Sequence, residues 1–266
     1  MLTGMNTVPS TGPEAWPYPF WIAHRGAGKL APENTLAAFR VGAAHGFRMF
    51  ECDVKLSADG VPFLLHDADL DRTTTGRGPA GACRWADLAR LDAGGWHSPE
   101  HAGEPVLSLD VLASWLQAQG CRVNLEIKPS PGDGARTGRV VAQRVRELWA
   151  GASALPLLSS FQPEALVAAR EAAPELPRAL LIEAHRDGWL AEALALGCVA
   201  VVPHHLMLDA GFIAHAHAAG LRVGTYTVND RERAEQLRAW GLDSLITDRV
   251  DLFEADARAE LSPPGP

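Results

Sequence analysis

The feature that most constrains this chain is a rhythm: short apolar runs alternate with amphipathic stretches from residue 20 to residue 259. The runs at 20–25, 49–54, 62–66, 122–128, 155–161, 178–183, 198–203, 222–228 and 243–247 have the length and composition of strands. Helical patterns fall at 35–45, 85–91, 108–119, 137–150, 163–172, 187–196, 209–219, 231–240 and 250–259. Gly46, Gly120, Gly197, Gly220 and Gly241 each follow such a pattern, where a helix C-terminus takes glycine. The strands are apolar on both faces, as buried parallel strands are. Repeated strand–helix units of this kind wind in right-handed crossovers, and 266 residues suit one α/β barrel. Nine candidate strands are one too many for an eight-stranded barrel, and the sequence does not say which lies outside it.

Residues 1–19 hold several prolines and glycines without periodicity and read as an irregular arm; the tail 261–266 (LSPPGP) reads the same way. Residues 68–107 break the rhythm. They are polar and rich in Gly and Pro, and read as an inserted subdomain or lid after the strand at 62–66. The barrel itself is expected over 20–260.

Composition excludes some functions. A net charge of −8 argues against non-specific nucleic-acid binding, which needs a basic footprint. No apolar run reaches the ~18–20 residues that span a bilayer, so stable membrane insertion is not expected. The N-terminus lacks the pattern of a signal peptide, and Cys52, Cys83, Cys121 and Cys198 lack zinc spacing. Together these point to a cytoplasmic protein with reduced thiols. The sequence leaves the oligomeric state open.

Several strands turn charged at their C-terminal ends. The first ends in His24-Arg25, and the third ends in His66. Glu51 and Asp53 alternate with apolar residues and share a face; so do Asn124, Glu126 and Lys128. Buried charges need partners, a metal or a solvated pocket, and ligands bind where barrel strands end. Glu51, Asp53 and Glu126 form an all-oxygen set suited to one divalent cation, Mg²⁺ or Ca²⁺. Arg25 and Lys128 suit phosphate oxygens, and His24 and His66 suit proton transfer near neutral pH. This combination reads as phosphate ester cleavage. Asn34 is placed to cap the helix at 35–45, and Glu33 to hold Arg25. His204 follows a strand and could line the mouth, whereas His215 and His217 are two apart on a helix and read as surface residues. Thr247 and Asp248 read as ties that close the barrel.

With His24-Arg25-Gly26, Pro32-Glu33-Asn34-Thr35, Glu51-x-Asp53, His66-Asp67 and Glu126-Ile127-Lys128 in this order, the chain resembles the glycerophosphodiester phosphodiesterases. Ser160-Phe161, Tyr226-Thr227-Val228-Asn229 and Ile246-Thr247-Asp248 extend the resemblance over about 20–250. It implies a distorted (β/α)8 TIM barrel with a small insertion after the third strand. It also implies metal-dependent hydrolysis of glycerophosphodiesters, such as glycerophosphocholine or glycerophosphoethanolamine, to sn-glycerol 3-phosphate and an alcohol, a step of lipid and glycerol metabolism. The resemblance makes Glu51, Asp53 and Glu126 the metal ligands and His24 and His66 the acid–base pair. Arg25 and Lys128 become phosphate contacts, Ser160 and Tyr226 pocket contacts, and Glu33 and Asn34 their supports. Family members often carry Trp where this chain has Tyr226, which leaves the shape of that wall open. Two rivals share the architecture: a phosphodiesterase acting on lysophospholipids, and a barrel that binds glycerophosphodiesters without cleaving them. The first wants an apolar or basic rim. The second wants a missing acid, base or ligand.

Overall fold

The computed structural model describes residues 16–259. The arm expected at 1–19 therefore enters only from Trp16, and the tail at 261–266 lies outside the described residues.

The strands are β1 (Trp21–Ala23), β2 (Met49–Leu56), β3 (Pro62–Leu64), β4 (Arg122–Ile127), β5 (Leu157–Ser160), β6 (Arg178–Ile182), β7 (Ala200–Pro203), β8 (Arg222–Thr225) and β9 (Ser244–Thr247). The helices are α1 (Leu36–Ala44), α2 (Trp85–Leu88), α3 (Leu109–Ala118), α4 (Gly134–Leu148), α5 (Pro163–Ala172), α6 (Trp189–Ala195), α7 (Ala210–Ala218), α8 (Arg231–Ala239) and α9 (Glu254–Ala259). Eight strands run parallel in the order β1-β9-β8-β7-β6-β5-β4-β2, and β1 pairs with β2 to close the barrel. The helices connect the strands, so the chain is an α/β TIM barrel.

The strand outside the barrel is β3. It runs antiparallel along β2, with Lys55 opposite Phe63. Pro62 opens it, as a residue without an N–H does at a sheet edge. The strand is shorter than its apolar run suggests, because the chain leaves it before His66. The 68–107 segment that follows packs a small core of its own. Leu70, Ala80, Leu88, Ala93 and Val106 gather around Phe63 and Leu65. It thus lies after the third strand in chain order, but between the second and third strands of the barrel.

β2 shows how one strand serves two environments. All eight of its residues are buried. Phe50, Cys52, Val54 and Leu56 join the large core between strands and helices. Phe50 meets Phe39 of α1 edge to face at 5.3 Å. Each side chain of this size contributes about 1.5–3 kcal/mol on burial. By alternation, Met49, Glu51, Asp53 and Lys55 take the other face, toward the barrel interior. The lower interior is apolar, filled by Ile22, Met49, Leu157, Ala179, Leu181, Ala200, Val202 and Ile246. Tyr18 packs on that cluster and donates its hydroxyl to Leu155 O at 2.9 Å. The apolar floor leaves the charged groups at the opposite, C-terminal mouth.

Candidate active site

A cavity of about 550 Å³ opens at the C-terminal ends of the strands. His24, Arg25, Glu51, His66, Glu126 and Lys128 line one side; Phe161, Leu181, Glu183, His204 and Tyr226 line the other.

The turn after β1 brings His24 and Arg25 into place through unusual backbone. Arg25 has φ 49° and Asn34 has φ 60°, both in the left-handed region that non-glycine residues rarely occupy. Gly28 could carry no side chain: a Cβ there would lie 2.2 Å from the Asp248 backbone. That close approach sets His24 against the end of β9. His24 Nδ1 stands 2.6 Å from Asp248 Oδ1, and its Nε2 stands 3.7 Å from Glu51 Oε2. Asn229 holds Asp248 in turn, donating Nδ2 to Oδ2 at 2.9 Å and accepting the Asp248 N–H at 2.8 Å. Burial opposes ionisation of Asp248, but the bond to His24 prevails and lowers its carboxyl to about 2.

His66 follows the end of β3. The Leu65 N–H donates to Asp53 O, which ties this stretch to β2. His66 Nδ1 lies 2.7 Å from Asp67 Oδ1, and burial lowers the imidazole below its ordinary value. Both histidines therefore carry the neutral-state proton on Nδ1, facing a carboxylate, and leave Nε2 to exchange protons.

Arg72, from the insertion, joins these parts. It donates to both Glu33 oxygens at 2.8 Å and to Asp67 at 2.6 and 3.0 Å. Glu33 also accepts from Arg25 Nη1 at 2.9 Å. One guanidinium thus fastens the carboxylate behind His66 and the carboxylate behind Arg25. Its hydrogen bonds hold the Asp67 carboxyl well below the usual range.

Glu51, Asp53 and Glu126 place one carboxylate oxygen each within 4.8 Å of one another, and all three are buried. Lys128 Nζ lies 2.8 Å from Glu126 and 3.3 Å from Asp53, and Arg25 Nε lies 3.2 Å from Asp53. Burial, compounded by the other two carboxylates, drives Glu51 well above the usual range. Burial and Asp53 push Glu126 up to about 7 against the pull of Lys128. Burial also works against Asp53, yet Arg25 and Lys128 hold it below its ordinary value. Asp53 Oδ1 is buried and accepts no hydrogen bond, although Lys128 is near. An orphaned carboxylate oxygen inside a hard-oxygen triad fits a divalent cation.

Three sequence readings change. Asn34 does not cap α1; Thr35 does, accepting the Ala38 N–H at 3.3 Å. The left-handed turn moves Asn34 inward, where it donates Nδ2 to Asp53 at 2.9 Å and accepts the Asp53 N–H. Ser160 does not line the cavity. It is fully buried and donates to Ile127 O, while Ser159, on the opposite face of β5, borders the cavity with an unpartnered hydroxyl. Asp248 does more than close the barrel, because it holds His24. Arg72 and Glu183 were missed altogether, as was Lys55, a buried cation on the face of Glu51 and Asp53 whose Nζ donates to Lys128 O at 3.2 Å. Alternation along β2 could have found Lys55. His204 does line the cavity, as its strand-end position allowed.

Comparison with known proteins agrees with this geometry. The Glycerophosphoryl diester phosphodiesterase family matches residues 24–252. YhdW of Bacillus subtilis is 32% identical over 90% of this chain and 98% of its own. A glycerophosphodiester phosphodiesterase of the same organism is 28% identical over 87% of this chain and 84% of its own. Among solved structures, a phosphodiesterase from Oleispira antarctica in complex with its product sn-glycerol-3-phosphate superposes with a TM-score of 0.83. It shares 34% identity and is covered over 96% of its chain, against 90% of this one. With a family match spanning the barrel and a site of this composition, the chain belongs to the glycerophosphoryl diester phosphodiesterase family and is an enzyme of that type.

Proposed function

We propose that this enzyme hydrolyses small, water-soluble glycerophosphodiesters to sn-glycerol 3-phosphate and an alcohol, with one divalent cation and with His24 and His66 as base and acid. The observation that carries the reading is the pair of histidines, each backed at Nδ1 by a carboxylate, beside a carboxylate triad and two cations. A cation held by Glu51, Asp53 and Glu126 would supply Lewis-acid polarisation of a phosphoryl oxygen.

The chain's own residues do the rest. Arg25 and Lys128 orient the phosphate and offset the charge that grows in the transition state. Each already faces Asp53, so the positive charge is fixed in place before substrate arrives. His24 Nε2 takes the proton of the nucleophile as its oxygen bonds to phosphorus; the nucleophile is water, or the neighbouring glycerol hydroxyl, whose cyclic phosphate water then opens. Asp248 steadies the imidazolium that results, since its carboxylate is ionised throughout the neutral range. His66 acts as acid in its imidazolium form: Nε2 gives its proton to the departing alkoxide as the P–O bond breaks, and Asp67 at Nδ1 steadies that charged form and the ring's orientation. The apolar and aromatic side of the mouth, with Phe161, Leu181 and Tyr226, packs an organic part of the diester.

The test is release of sn-glycerol 3-phosphate from glycerophosphoethanolamine with Mg²⁺, with Ca²⁺ and with EDTA. Release that chelation abolishes supports the reading. Cleavage of lysophospholipids alone, or binding of the diester without turnover, defeats it.

A further inference from the structure

One wall of the mouth is left unused by the chemistry above. Ile182 pairs with Pro203, which sets Glu183 beside His204, and His204 pairs with Tyr226. The three form a row across neighbouring strand ends, and all border the cavity. The Tyr226 ring meets Phe161 and His204 edge to face, at 5.7 and 5.6 Å between centroids. Its hydroxyl donates to Ile182 O at 3.2 Å, so the ring is tied to the strand that carries Glu183. The Glu183 carboxylate is exposed and has no ion pair or hydrogen bond among the described residues.

An unpaired carboxylate is out of place in a pocket that takes a phosphodiester anion. It repels that anion unless the ligand brings a positive charge of its own. The cations Arg25 and Lys128 stand with the metal triad, Lys128 Nζ reaching to 5.8 Å from the Phe161 ring centroid, and Glu183 stands beyond them in the row with His204 and Tyr226. This pattern matches a zwitterion, with phosphate at one end and ammonium at the other. A carboxylate beside an aromatic ring is also what recognises an ammonium group.

We propose that Glu183, with Tyr226, forms a head-group subsite for a positively charged amino alcohol, so that zwitterionic diesters are the preferred substrates. The proposal rests on the hydrolytic reading above and deepens it. The experiment compares kcat/KM for glycerophosphoethanolamine with that for glycerophosphoglycerol, whose head group is neutral, in the wild-type protein and in Glu183→Gln. The wild type favours the cationic diester, and the preference narrows as salt rises. Glu183→Gln lowers the ratio of the two constants by about 3- to 10-fold, as befits a partly screened ion pair. Glu183→Lys lowers it further. An unchanged ratio in both variants, or a wild-type preference for the neutral diester, overturns the subsite and leaves hydrolysis standing. Failure to cleave either diester overturns the hydrolytic reading and the subsite together.

Discussion

The two sides of the barrel mouth differ in how their residues are held. On the side of β1 to β4, nearly every polar group has a partner behind it: Asp248 behind His24, Asp67 behind His66, Glu33 beside Arg25, Asn34 on Asp53, and Arg72 across two of these. On the side of β5 to β8, Phe161, Leu181, Glu183, His204 and Tyr226 are held mainly by strand position and ring contacts. The first side is built for fixed geometry, which proton transfer and charge stabilisation require. The second tolerates exchange of side chains, which suits recognition of a variable alcohol. Rate should therefore reside on one side and preference on the other.

Mutations can break that division. The largest effect is expected for His66→Ala, which should lower kcat by about 10²- to 10⁴-fold. Calorimetric titration should still show divalent cation binding, since the triad is untouched. A variant with near-normal turnover would remove His66 from the chemistry. Next come Asp248→Asn and Arg72→Ala, each expected to reduce kcat by about 10- to 100-fold, the usual cost of losing a supporting hydrogen bond at such a site. Neither side chain reaches the substrate in this scheme, so KM should move less than kcat. If KM rises alone, these residues bind rather than position.

On the other side, Tyr226→Trp should alter the ranking of diesters by less than about tenfold and leave sensitivity to EDTA unchanged. A collapse of kcat for every substrate would erase the distinction between the sides. The smallest effect concerns stability. Burial and the neighbouring Asp53 push Glu126 from its ordinary value up to about 7 in the fold. Its protonated form therefore favours folding at low pH, and that contribution is lost as pH rises through about 7. Asp53 is ionised in both states across this range and adds no slope. Thermal melts of the chelated protein should drop by a few degrees as pH rises from about 5 to about 7.5, and Mg²⁺ or Ca²⁺ should reverse the drop. A flat profile would mean that the carboxylates do not crowd one another.

The same division decided what could be read from sequence. Glu51, Asp53, Glu126 and Lys128 were legible because charges inside apolar runs demand an explanation, and alternation gives them a face. In the other half the one such conflict, Glu183 at the end of the run RALLIE, was passed over, and the ends of β5, β7 and β8 carry none. In the run LPLLSSF both serines fit the pattern, and only the register of the closed barrel turns Ser159 inward and Ser160 outward. Pro32-Glu33-Asn34-Thr35 offered consecutive capping residues, and a left-handed φ at Asn34 passed the cap to Thr35. Arg72 lies in a stretch without periodicity, and its partner Glu33 is 39 positions away, so no local signal could join them. The ninth strand stayed unplaced because an antiparallel edge strand and a barrel strand look alike as short apolar runs.

The placement of His66 has a consequence for how activity is lost. It is delivered by β3 and the segment behind it, a unit with its own small core that leans on the barrel through β2 and the Arg72 contacts. Such units open at lower free energy than the core that carries them. Mild denaturant or warming should release the insertion first, and hydrogen exchange should show it as a separate cooperative patch. In that state the carboxylate triad would still be assembled and would still hold its ion, yet turnover would cease. The working temperature of the enzyme would then be set by its smallest core.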